Sequence, residues 1–237
     1  MSTPGGYLRH RHLYNAASAD AWSLNFTESQ PLDDTHLLVA VVGCDSSTIA
    51  AVPGWSQVLN DAGGTGRRLR VLTRRGDGTT NGIAVETSSA TAGRSLSLFA
   101  WSGYVSTALA RTSGIGTTSG SGTTLSRSVV VDPMHVALAV LRLSAARATA
   151  WPGMEALGDE RTVIGVLHSA AGESLTSAAA WSPSASSSGA IITLPASTPP
   201  APVPPRPARV GATAVADLRV GDLAASAMYL GGTRLWP

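Results

Sequence analysis

Lysine is absent from this 237-residue chain, and cysteine occurs once, at Cys44. A single thiol excludes a disulfide framework and a cysteine-built zinc site. Its place after the apolar run Leu37 to Val42 reads as a buried free thiol rather than a nucleophile or metal ligand. With no lysine, basic charge rests on arginine alone, and a formal net charge of +2 is too small for a nucleic-acid surface. One arginine cluster, Arg67, Arg68, Arg70, Arg74 and Arg75, brackets a strand pattern and reads as a solvated face. No apolar run approaches the ~20 residues of a membrane span. The basic stretch Arg9 to His12 lacks the apolar core of a secretory signal behind it, so synthesis in the cytosol is expected.

Catalytic patterns are also missing. There is no Gly-x-Ser-x-Gly elbow and no His-Glu-x-x-His pair. His36 and His135 stand at the start of two similar strands, so repetition accounts for both without a chemical role. His10 and His12 fit one face of a strand, but two ligands do not make a metal site. Asp33, Asp34 and Asp132 precede strands, where aspartate supports turns, and the alternating oxygen-ligand loop of a calcium site is lacking. The expectation is a protein that is not an enzyme, with no cofactor and no metal.

What is present is a hydrophobic fraction of 43%, enough for one large all-β domain or two small ones. The body carries an internal duplication. Asp34 to Val41 matches Pro133 to Val140, and Pro53-Gly54-Trp55 matches Pro152-Gly153-Met154 at the same offset. Arg68 to Leu72 matches Arg161 to Gly165, and Ser97 to Ser102 matches Ser177 to Ser182. The blocks are short, rich in β-branched and apolar residues and separated by Pro-Gly and Gly-Asp-Gly turn signals, so they read as strands. Leu37 to Val42 and Val136 to Leu141 are nearly continuous apolar runs, the mark of central strands covered on both faces. Leu69, Val71 and Thr73 alternate as on a half-exposed strand. The expected fold is a jelly-roll-like β-sandwich over 26–194, built from two similar halves at about 26–104 and 125–194. Two separate small domains are the alternative.

Residues 1–25 read as an arm or edge strand. Ser113 to Thr124 is a glycine, serine and threonine run and reads as a flexible connection or exposed loop. From Pro195 to Pro207 proline dominates, so 195–209 reads as a semi-rigid linker, roughly 40 Å long at ~3.1 Å per residue. Residues 210–237 hold three near-copies of a ten-residue unit opening with Val210-Gly211, Val220-Gly221 and Leu230-Gly231. Gly-Ala, Gly-Asp and Gly-Gly suit two-residue hairpin turns, so the terminus reads as a small β-meander. Apolar residues fall on both of its alternation faces: Leu218, Val220, Met228 and Leu230 on one, Val215, Tyr229 and Leu235 on the other. A short meander with two apolar sides needs a partner. Leu218, Val220, Met228, Tyr229, Leu230, Leu235 and Trp236 are the candidate docking residues. Packing of this terminus onto its own body is the alternative.

Of the six tryptophans, Trp101 and Trp181 fall in matched apolar blocks and are expected in the core. Trp55 and Trp151 flank Pro-Gly turns at strand ends, where an indole can stack on a sugar ring. They are the candidate glycan contacts.

The run Asp-x-x-His-Leu-Leu-Val-Ala-Val-Val, then Val-Pro-Gly-Trp-Ser-Gln-Val-Leu, Arg-Arg-Leu-Arg-Val-Leu-Thr-Arg-Arg and Leu-Phe-Ala-Trp-Ser-Gly, resembles the β-sandwich of minor tail proteins from long-tailed phages of actinobacteria. The ending Met228-Tyr229-Leu230-Gly231-Gly232-Thr233-Arg234-Leu235-Trp236-Pro237 resembles the short terminal repeats that such proteins carry. The repeats have drifted, with Ala212, Ala214 and Ala225 at positions that are bulkier or polar in that pattern. The resemblance implies a structural virion protein of the tail or its tip, assembled in the host cytoplasm, neighbouring other tail proteins and contacting the host surface. A homo-oligomer is the expected state, with a trimer favoured because tail fibres are often threefold. The alternative from a different class is a carbohydrate-binding module for a cell-wall glycan.

Overall fold

A computed structural model describes residues 9–27, 32–45, 48–61, 67–102, 111–118, 123–133, 135–145, 147–148, 150–169 and 172–194, together with short strands between 208 and 236. The chain divides into two units, Met1–Ser197 and Thr198–Pro237. Every regular element among the described residues is a β-strand.

Two five-stranded antiparallel sheets form the centre of the first unit. One contains β1 (Arg9–Asn15), β3 (His36–Cys44), β4 (Ser56–Asp61), β5 (Arg68–Arg75) and β7 (Arg94–Ser102), in the order β1-β7-β3-β5-β4. The other contains β8 (Arg111–Thr118), β10 (His135–Leu143), β12 (Glu155–Gly158), β13 (Thr162–Ser169) and β15 (Ser187–Leu194). Its order, β8-β15-β10-β13-β12, repeats the first strand for strand. Two smaller ladders lie outside them. β2 (Ala19–Asn25) pairs with β6 (Gly82–Thr91), and β9 (Thr124–Val131) pairs with β14 (Glu173–Ser182), which also pairs with β11 (Arg147–Ala148).

Side-chain alternation stacks these sheets into four layers. Leu37, Val39 and Val41 of β3 and Phe99 and Trp101 of β7 share one core with Val136, Leu138 and Val140 of β10 and Ile192 and Leu194 of β15. The two five-stranded sheets therefore face each other. The opposite face of β3, through Leu38, Ala40, Val42 and Cys44, packs on Trp22, Leu24, Ile83 and Val85 of the β2–β6 ladder. On the other side Ala137, Ala139, Leu141 and Leu143 of β10 pack with Leu125, Val131, Ala179 and Trp181 of the β9–β14 ladder. Each half is a sandwich in its own right, joined to the other through its five-stranded sheet. The apolar runs of β3 and β10 are covered on both faces, as their sequence requires.

Three readings change. Trp101 and Trp181 are not equivalent: Trp101 stands opposite Leu37 on β7, and the same place opposite Val136 is held by Leu194 on β15. Trp181 lies on β14, an outer strand with alternating exposure. The shared Ala-Trp-Ser string matched a strand buried on both faces to one buried on one face. The stretch from 111, read in part as a connection, contributes β8, which completes the second sheet by pairing with β15. An edge strand needs backbone bonds on one side only, so its glycine-rich sequence carried no apolar signal. β5 is not half-exposed, because Leu69, Val71 and Thr73 and their neighbours Arg70 and Leu72 are all buried. Within residues 1–25, β1 is an edge strand, as expected for that stretch, and β2 is half of an outer layer.

In the second unit the short strands pair as three hairpins, each spanning the start of one ten-residue repeat. These are β16 (Ala208–Val210) with β17 (Thr213–Val215), β18 (Arg219–Val220) with β19 (Leu223–Ala224), and β20 (Met228–Leu230) with β21 (Thr233–Trp236). Among the described residues no ladder joins neighbouring hairpins, so the terminus is a row of hairpins rather than one continuous meander. Strand β16 begins at Ala208, inside the span read as linker, while 195–207 lies outside the described residues.

Core tryptophans differ sharply in exposure, which sets a first test. Trp101→Ala empties the shared core and is expected to cost about 3–5 kcal/mol in chemical denaturation. Trp55→Ala, at a half-buried position, is expected to cost about 1–2 kcal/mol. Equal losses for the two would contradict the layering.

Candidate functional site

The matched Pro-Gly turns decide the two glycan candidates. Trp55 N–H donates to Val52 O at 3.1 Å, and Met154 N–H donates to Trp151 O at 3.2 Å. Gly54 and Gly153 supply the positive φ, 77° and 80°. Trp151 is thus the counterpart of Val52, and Trp55 that of Met154. Trp151 is 0% exposed within the outer core of the second half, so no sugar reaches its face. This corrects its reading as a glycan contact: the residue before a Pro-Gly turn points inward here. Trp55 is half-buried against the first outer core. The Arg74 guanidinium crosses the adjacent turn, so close that a Cβ on Gly54 would lie 2.8 Å from Nη1. Arg74 in turn pairs with Asp77.

Asp77 is engaged within its own loop. One carboxylate oxygen accepts from the Thr80 N–H at 2.7 Å and from the N–H and hydroxyl of Thr79 at 2.9 Å. These bonds hold its carboxyl well below the ordinary range. The same logic applies at β3 and β10. Asp33 accepts from the Thr35 hydroxyl at 2.6 Å and lies 2.8 Å from His36 Nδ1, and its pKa falls to about 2. Asp132 and His135 repeat the arrangement at 3.7 Å. Both histidines serve strand entry.

A larger polar cluster links the two halves. Arg142 on β10 is 0% exposed, and its guanidinium donates to Asp45 Oδ1 at 2.6 Å, to Thr162 Oγ1 at 2.8 Å and to the Gly93 carbonyl. Burial pushes its pKa down, and the carboxylates of Asp45 and Asp159 oppose that push. Arg161 donates to the other oxygen of Asp45 at 3.0 Å. Ser95 and Thr162 share a hydroxyl contact of 2.5 Å across the sheet interface. Asp159 accepts from the N–H groups of Arg161 and Thr162 at 2.7 and 2.8 Å, and its Oδ2 lies 3.2 Å from His12 Nε2. Burial alone would raise the Asp159 carboxyl, but the His12 contact and these N–H donors hold it below the ordinary value.

The cluster has a steric condition. Gly43 and Arg142 occupy the same place in β3 and β10, and a Cβ on Gly43 would meet Ser95 Oγ at 2.7 Å, Thr162 Oγ1 at 2.9 Å and Arg142 Cδ at 3.2 Å. Only glycine leaves room for the arginine. No signal in the sequence announced this cluster, because its contacting members lie up to 147 positions apart, as for His12 and Asp159, and belong to no local motif. Among the described residues no group of three or more His, Cys, Asp and Glu side chains is placed to hold a metal ion. No helix among them is long and apolar enough to cross a membrane. Of the candidate docking residues, Leu218 lies outside the described residues. Val220, Met228, Tyr229, Leu230, Leu235 and Trp236 fall on hairpin strands.

No protein-family model, curated protein or solved structure matches the chain.

The cluster makes a signed prediction. Asp45→Ala leaves a buried guanidinium without its nearest carboxylate and is expected to cost about 3–5 kcal/mol. Arg142→Met in the same background removes the stranded charge, so the double variant is expected to be more stable than Asp45→Ala alone. Urea midpoints of the four proteins in the cycle check the sign. Gly43→Val is expected to cost about 3 kcal/mol by overpacking, and less once Arg142 is methionine.

Proposed function

We propose that this chain is a structural protein of a phage tail, a minor component at or near the tip, without enzymatic activity. It belongs to the virion, is assembled in the host cytoplasm and contacts the host surface. The observation that carries this reading is the row of terminal hairpins, which pairs the repeat of the resembled tail proteins with a unit that lacks any internal staple. Residues 198–237 contain neither cysteine nor histidine, so disulfides and the common zinc sites are unavailable. Ladders of two to four residues are too short to stand in water unaided. What remains for so small a unit is association.

The hairpin pairing is consistent with self-association. Ala208 pairs with Val215, Val220 with Leu223 and Met228 with Trp236, while Arg209 pairs with Ala214 and Arg219 with Ala224. Copies of the chain, three in the favoured arrangement, cover the apolar positions of these strands, with other tail proteins as further neighbours.

Carbohydrate binding is the second reading, and the half-buried Trp55 beside Arg74 is the observation that favours it. The two readings are compatible.

Light scattering on the full chain is expected to give about three times the 24.1 kDa chain mass. Val220→Asp with Leu230→Asp is expected to yield monomers, and Arg219→Ser to leave the mass unchanged. A monomeric parent chain overturns the assembly role. Mass spectrometry of purified particles tests the location, and absence of this chain from tails refutes it. For the second reading, Trp55→Ala is expected to abolish retention on host cell walls.

A further inference from the structure

The arginines at the head of β5, whose spacing in the sequence reads as a solvated face, are largely buried. Arg67, directly before the strand, is 5% exposed, and Arg70 is 7% exposed. Arg68 and Arg70 share the strand face that packs on the first outer core, because their cross-strand neighbours Cys44 and Val42 belong to that core. Arg70 reaches neutral acceptors: its Nη1 donates to Ala50 O at 2.7 Å and its Nε to Asn60 Oδ1 at 3.3 Å. The Nε atoms of Arg67 and Arg68 are buried without a hydrogen-bond partner. Burial lowers the Arg70 pKa, and the group that opposes this is Cys44, not a carboxylate. Among the described residues no carboxylate pairs with any of the three arginines. The other well-buried arginines are provided for. Arg142 has Asp45, and Arg94 spends its donors on the carbonyls of Ala17 and Ala21.

The second half shows that the fold itself does not ask for this charge. Arg70 stands opposite Val42 of β3, and Val163 stands opposite Leu141, the same place in β10. Asn60 is opposite Arg70 and Gly158 is opposite Val163, so the neighbouring strands agree with this equivalence. Cys44 corresponds in the same way to Leu143. One half thus completes its outer core with Val163 and Leu143, where the other places a guanidinium and a thiol. Arg68 corresponds to Arg161, but Arg161 has Asp45 at 3.0 Å. A guanidinium stays protonated in a protein, and a buried charge without a counter-charge is costly. An anion bound from solution removes that cost.

We propose that the head of β5 is a binding site for a small oxyanion of the phosphate or sulfate type, held by the Arg68 and Arg70 guanidinia beside Cys44, with Arg67 adding a third positive charge. The guanidinium fork suits this ligand class, since it meets two oxygens of one anion at once. Burial sets the size. With Arg70 93% covered by the protein, a free ion enters and a phosphodiester running along a polymer does not.

Calorimetric titration of the full chain with inorganic phosphate, at constant ionic strength, is expected to saturate at one ion per chain, with sulfate competing and chloride not. Arg70→Val installs the residue of the second half. It is expected to weaken phosphate binding about tenfold or more and to raise the urea midpoint in phosphate-free buffer. Arg68→Gln is expected to weaken binding likewise, and carries the test if Arg70→Val does not fold. Arg75→Gln, at the exposed end of the same strand, is expected to leave the affinity unchanged. Lack of saturable phosphate binding by the parent chain, equal affinity in parent and Arg70→Val, or binding of a glycerol phosphodiester polymer in place of the free ion each overturns the site.

Discussion

The contact between the two five-stranded sheets is the constraint from which the rest of the body follows. A sheet buried on one face alternates, but β3 and β10 must be apolar at nearly every position because each faces the other half on one side and its own outer ladder on the other. That demand propagates outward. The outer ladders have one covered face only, so β6 and β14 alternate, with Ile83, Val85, Ala179 and Trp181 inward and small or polar residues outward. It also propagates along the seam. Residue 43 of one half meets residue 142 of the other, its own counterpart, as in an isologous contact between identical subunits. Two large side chains do not fit where a position meets its counterpart, and the glycine–arginine pair resolves the crowding by giving one side all the volume. The arginine then requires a carboxylate from the opposite half, which Asp45 supplies.

This arrangement explains what the amino-acid order made legible. Leu37 to Val42 and Val136 to Leu141 announced central strands because double burial leaves an unbroken apolar run. The Pro-Gly turns announced equivalent positions because positive φ at Gly54 and Gly153 is a local requirement. Local pattern failed where the decisive neighbour is remote. Trp151 looked like a rim residue beside a turn, yet the space it fills is made by β13 and the outer ladder. Trp181 looked like Trp101 because strings of three residues do not record how many faces a strand buries. Asp45, Arg142, Arg161 and Asp159 carry no motif at all. Their meeting depends on the sheet interface, so a reading of spacing along the chain had no access to it.

Several charges of the body are engaged within the fold. Asp45 and Asp159 serve the seam, while Asp33 and Asp77 close turns through their own neighbours. The outward face of the β9–β14 ladder is correspondingly bland: Ser126, Ser128 and Val130 stand opposite Ala178, Thr176 and Ser174, with Val130 64% exposed. A catalytic surface needs titratable groups held in tension and open to substrate. Among the described residues, Asp33 and Asp77 are engaged in turns, and Arg142 and Asp159 in joining the halves.

The two repeats in this chain use repetition in opposite ways. In the body, two copies turn toward each other, and the contact closes on itself: each half buries the face the other exposes, so nothing is left to add a third. In the terminus, three hairpins follow one another along the chain, and among the described residues no ladder joins them. A closed repeat gives stability that does not depend on concentration, whereas an open one gains stability only by finding partners. A body that closes on itself folds without a partner, and under the proposed tail role the terminus is the unit left to join an assembly.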